Sequence, residues 1–99
     1  MKRRRAGIER LYAILSIANE GASKTRIVYQ ANLNFRSAKK ELEYLQSRDL
    51  IFKSSATETI GRYFLTRRGE NVLKLLTQVA TNVPELLGQV PKSTFFMVP

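Results

Sequence analysis

The chain predicts a mainly helical α+β fold: three helices, a two-strand β-hairpin and a C-terminal helix, with most of the signal in residues 24–65. Three observations combine there. A short helix is parted from a basic amphipathic helix by an asparagine-bearing break. Two runs of β-branched and aromatic residues flank a polar spacer. These elements also follow one another with almost no spare residues.

The first helix is expected over about residues 4–19, where Ile8, Leu11, Tyr12, Leu15 and Ala18 recur at helical spacing. Gly21 suits the left-handed position that ends it, and Ser23 is a good N-cap for the next helix. Ile27, Val28 and Ala31 give that second, short helix its apolar side. Asn32-Leu33-Asn34 then breaks the pattern, because asparagine tolerates left-handed backbone and competes for backbone hydrogen bonds. In the third helix Phe35, Ala38, Leu42 and Leu45 fall on one face, and Arg36, Ser37, Lys40, Tyr44 and Ser47 on the other.

After Asp49, Leu50-Ile51-Phe52-Lys53 and residues 59–65 predict two antiparallel strands joined by a turn of about four or five residues. Tyr63 and Leu65 point to the core. Phe64 points the other way and needs a cover, which the C-terminal tail or a second subunit would supply. Thr66 caps a last helix running through Val72, Leu73, Leu75, Leu76 and Val79. Pro84 either ends that helix or begins a short turn over Glu85, Leu86 and Leu87 with Asn82 as its cap. In this order the elements make a winged helix-turn-helix, with the third helix as recognition helix and the hairpin tip as wing.

The run Lys24-Thr25-Arg26-Ile27-Val28-Tyr29-Gln30-Ala31-Asn32-Leu33-Asn34-Phe35, then Asp49-Leu50-Ile51, then Tyr63-Phe64-Leu65-Thr66-Arg67-Arg68-Gly69, resembles the small archaeal winged-helix DNA-binding proteins, predicted transcriptional regulators. The likeness spans roughly residues 3–80, with three separated motifs in the right order. It implies double-stranded DNA binding, usually as homodimers and often through an extended C-terminal coiled-coil helix. The chain departs from that pattern where Pro84 and Gly88 interrupt the C-terminal segment.

Composition points the same way. The 99 residues make one domain, and 17 Lys plus Arg against 8 Asp plus Glu give a net charge of +9, which favours a polyanionic partner. Residues 1–26 hold a surplus of five positive charges and residues 71–99 a surplus of one, so the DNA side is expected in the N-terminal two thirds. With neither cysteine nor histidine, the chain lacks the usual zinc ligands, the usual general base and the thiol nucleophile. Glu41 and Glu43 lie two apart on a helix and diverge by about 200°, so they make no acid–base pair. The expectation is a non-enzymatic cytoplasmic, nucleoid-associated protein with no cofactor, metal, small-molecule ligand or membrane span.

The candidate DNA contacts follow from position. Arg36, Ser37, Lys39, Lys40 and Tyr44 lie along the recognition helix, and Asn34 stands at its start, where capping competes with base reading. Lys24, Thr25 and Arg26 open the second helix, where free backbone N–H groups and the helix dipole also favour phosphate. Arg62 belongs to the wing, and Arg3, Arg4 and Arg5 to a basic arm. Residues 1–81 are assigned to the DNA-binding domain and 82–99 to an extension. That extension and the apolar excess of the last helix predict a homodimer through residues 72–98. The alternatives are a protein-docking module on the same fold, with the apolar tail and Phe64 as its working surface, and non-specific chromatin-like packaging.

Overall fold

The computed structural model describes residues 7–87, in which four helices surround one core and a two-strand antiparallel sheet projects from it. Helix α1 (Gly7–Ala18) runs through the centre: Tyr12, Ala13, Ile14, Leu15, Ile17 and Ala18 are all buried, so it is enclosed on more than one face. It packs against α2 (Lys24–Gln30) and α4 (Arg67–Asn82). Its tie to α3 (Phe35–Ser47) includes an ion pair between Arg10 and Glu41.

Each junction is closed by local chemistry. Gly21 (φ +87°) turns the chain out of α1, with the Phe64 ring seated where a side chain on Gly21 would stand. The Ser23 hydroxyl accepts a hydrogen bond from the Arg26 amide at 3.1 Å and starts α2. Asn32 (φ +58°) ends it: the Leu33 amide donates back to the Val28 carbonyl at 2.9 Å and the Asn32 amide to Tyr29, a Schellman cap with asparagine in the usual glycine place. The Asn34 side chain then accepts from the Ser37 amide at 2.7 Å and opens α3. The same device recurs after α3, where Asp49 (φ +61°) holds the left-handed position and the Leu50 amide donates to the Leu45 carbonyl at 3.0 Å. The turn of the helix-turn-helix is thus fixed by backbone hydrogen bonds as well as by packing.

Phe35 departs from expectation. Ala38, Leu42 and Leu45 are buried, but Phe35 is 55% exposed. A helical wheel assigns it to the apolar face, yet as the first residue of α3 it lies beyond the turn of helix that packs on the core.

Strand β1 (Ile51–Lys53) pairs with β2 (Tyr63–Leu65) in the register Ile51 with Leu65, Phe52 with Phe64 and Lys53 with Tyr63. Ile51, Tyr63 and Leu65 are buried, as alternation requires. On the other face Phe52 and Phe64 stack with centroids 5.8 Å apart, so the described cover of Phe64 is Phe52 and the backbone at Gly21. Ala22 and Tyr63 exchange backbone hydrogen bonds of 3.0 and 2.8 Å, which adds a single bridge to the sheet from the segment after α1.

The wing is longer than the expected four or five residues, and the second strand shorter than 59–65. Thr57–Thr59 form a 3-10 turn, and residues 59–62 a second reversal in which the Arg62 amide donates to the Thr59 carbonyl. Gly61, at φ +83°, supplies the positive φ that a type II turn needs at its third residue. This overrides the strand preference of Thr59 and Ile60. Ser54 closes the loop: its carbonyl accepts from the Gly61 amide at 2.9 Å, and its hydroxyl bonds to that of Thr59 at 2.7 Å.

The Thr66 hydroxyl accepts from the Gly69 amide at 3.0 Å to cap α4 and donates to the Asp49 carbonyl at 2.6 Å, pinning the helix start to the end of α3. Leu76 is buried, and Val72, Leu73 and Val79 pack partly against the core. Both expectations for Pro84 are met in sequence: α4 ends at Asn82, and Pro84–Leu86 form a 3-10 turn. The cap position of that turn is Val83 rather than Asn82, and the turn delivers Leu87, 1% exposed, into the core.

Candidate nucleic-acid interface

Packing Ala38, Leu42 and Leu45 inward leaves the rest of α3 facing outward. Arg36, Ser37, Lys39, Lys40 and Tyr44 are all exposed along it. Glu41 is engaged by Arg10, which leaves Glu43 as the exposed acid of this helix. Ser47 turns its hydroxyl back onto the Tyr44 carbonyl at 2.6 Å.

The start of α2 lies beside the start of α3. The Lys24 ammonium sits 5.7 Å from the centre of the Phe35 ring, a cation–π contact across the turn. Thr25 and Arg26 are exposed next to it, and the Arg26 amide is taken by the Ser23 cap. The structure therefore brings Lys24 to the N-terminal end of α3. Asn34 spends its side-chain oxygen on the cap of α3.

Arg62 is exposed on the wing, a separate element, immediately after the turn at Gly61. Lys53, at the wing's root, places its ammonium 5.9 Å from the Tyr63 ring centre. The arm residues Arg3, Arg4 and Arg5 lie outside the described residues.

Two exposed residues of this surface were missed in the sequence. The Arg48 guanidinium lies over the Tyr44 ring at 5.2 Å, extending the cationic strip to the C-terminal end of α3. The available signal was the four-residue spacing between Tyr44 and Arg48, which puts them on one helix face. Phe35 is the other, hidden by its place in the apolar periodicity. Among the described residues no group of acidic side chains is arranged to hold a metal, and no helix is long and apolar enough to cross a membrane.

The fold has close counterparts among solved structures. The chain is similar to the transcriptional regulator SlyA, with a TM-score of 0.67 and 16% identity over 89% of this chain and 66% of that one. It is also similar to a mutant of ZitR from Lactococcus lactis, with a TM-score of 0.63 and 18% identity over 87% of this chain and 66% of that one. It thus spans just under two thirds of each, and at these identities the likeness is one of fold. No curated protein matches the chain. The winged helix-turn-helix family matches over residues 2–83, most of the sequence, from α1 to α4 with both strands between them. The protein belongs to the winged helix-turn-helix family.

Proposed function

We propose that this protein binds double-stranded DNA as a non-enzymatic transcriptional regulator, with α3 in the major groove. The carrying observation is the exposed row of Arg36, Ser37, Lys39, Lys40 and Tyr44 on a helix capped at Asn34, with Lys24 at its leading end. Arg36 and Lys40 are suited to guanine edges, since long cationic donors match the O6 and N7 acceptors there. Lys24, Thr25, Arg26 and the basic arm hold phosphates and set register, while Arg62 on the wing reaches the flanking backbone. Such a protein works in the cytoplasm on the nucleoid.

Substitution separates the two roles. Lys24→Ala or Arg26→Ala weakens binding to all duplexes alike, whereas Arg36→Ala costs about 1–3 kcal/mol on the preferred site and relaxes preference at one base position. Binding selection from random duplex DNA, run with each variant, reads both effects. Equal sequence-independent losses for all three would point to architectural packaging instead.

The same reading includes a homodimer through residues 72–98. Its support is Leu75 and Leu86, which stay 61% and 59% exposed on and just after α4. A two-fold pair would present recognition helices to major-groove segments about 34 Å apart. Light scattering at tens of micromolar is expected to give a dimer, and Leu75→Glu with Leu86→Glu a folded monomer. A monomeric full-length chain defeats the dimer, and so does a double variant that stays dimeric.

A further inference from the structure

We infer that Phe35 reads the C5-methyl group of a thymine, an assignment that rests on the DNA-binding function proposed above. Phe35 is the first residue of α3, and residues at the N-terminal end of a recognition helix are those that reach base edges. Its side chain is more than half exposed while Ala38, Leu42 and Leu45 fill the core side of the same helix, so the ring is spare from core packing. It is nonetheless held in place. The Asn34 cap fixes the first turn of α3, and the Lys24 ammonium rests over the ring from α2.

The chemistry then selects the target. The major-groove edges of the four bases offer hydrogen-bond donors, acceptors and one apolar group, the thymine methyl. A benzyl side chain has no donor or acceptor to match the first two. Set against a guanine or adenine edge it would strip water from polar atoms and return nothing, whereas against a thymine methyl both partners lose apolar surface to water. The cation over the ring fits the same arrangement, because it carries positive charge to the phosphates flanking that base. Arg36, the next residue, is then placed for an adjacent guanine, so the first turn of α3 would read a thymine and a guanine side by side.

The test uses the full chain and a duplex chosen by selection from a random pool. Each thymine of the best-bound duplex is replaced in turn by uracil, which lacks only the methyl group. At one position per bound recognition helix the affinity is expected to fall about fourfold, the worth of burying one methyl-sized apolar group. That drop should vanish in Phe35→Ala and persist in Phe35→Leu, which keeps an apolar side chain at the same place. The assignment is overturned if no thymine is sensitive to uracil, or if Phe35→Ala shows the same drop as the wild-type chain. Failure to bind any duplex would overturn the DNA-binding function itself, whereas tight binding indifferent to uracil overturns only the role of Phe35.

Discussion

Duplex binding by the full chain is expected to weaken by roughly three orders of magnitude when monovalent salt rises from about 50 to about 200 mM. The source we propose is the exposed cations Arg26, Arg36, Lys39, Lys40 and Arg62, the half-buried Lys24 and the basic sequence at residues 3–5. If they make about five to eight phosphate contacts per subunit, log K falls against log salt with a slope of roughly −4 to −7, because each contact releases condensed counterions. The Arg10–Glu41 ion pair lowers the acidity of the presented surface by engaging one of the two carboxylates of α3. A fluorescence-anisotropy titration across that salt range measures the slope. A slope near zero, or no binding to any duplex at low salt, would favour the protein-docking alternative.

The largest expected loss of stability comes from one methyl group placed at Gly69. Within a helix alanine is ordinarily better than glycine by about 1 kcal/mol, so propensity alone predicts a gain. Contact decides otherwise. A Cβ at Gly69 would run into the Leu50 carbonyl oxygen, which is backbone and already accepts the Thr66 amide at 3.0 Å. Relief requires moving the start of α4 away from the α3–β1 junction, against the Thr66 hydrogen bonds to Asp49 and Gly69. Overpacking of this kind costs about 3 kcal/mol, which leaves Gly69→Ala less stable by about 2 kcal/mol. At this size the melting temperature drops by about 8–16 °C. Gly7→Ala, where a Cβ meets nothing, is the control and should be neutral or slightly stabilising. Thermal denaturation of both variants measures the difference, and a Gly69→Ala protein that melts with the wild type would show that the helix start accommodates the methyl freely.

What the sequence revealed and what it hid divide along the range of the interactions. Ser23, Asn34 and Thr66 were identifiable as caps because a cap bonds an amide three residues on, and the structure shows all three doing so. Asn32 is legible from residue type alone, since asparagine is one of the few residues other than glycine that readily take the left-handed backbone it adopts here at φ +58°. Phe35 was misplaced because periodicity gives an angle around the helix axis but not where along the axis the neighbouring elements stop. The wing differs from the sequence expectation because the β-branched Thr59 and Ile60 favour strand, whereas Gly61, with its positive φ, fixes where the chain reverses. Non-local pairs left no local trace: Arg10 with Glu41, Ala22 with Tyr63 and Lys24 with Phe35 join residues far apart in the chain, and only the fold brings them together. In the candidate interface, the outward row on α3 was legible from amphipathic spacing, whereas the stacking of Arg48 on Tyr44 depends on side-chain direction.

We propose that α3 lies in the major groove with Arg36 and Lys40 toward the bases. Dimethyl sulfate interference tests it in one measurement, because the reagent methylates guanine at N7 in the major groove and adenine at N3 in the minor groove. On the selected duplex, guanine N7 methylation at the centre of each bound site is expected to block binding by the wild-type chain, and Arg36→Ala to lose sensitivity at one of those guanines. Interference confined to adenine N3, or none at any base while binding persists, would contradict the placement of α3 in the major groove.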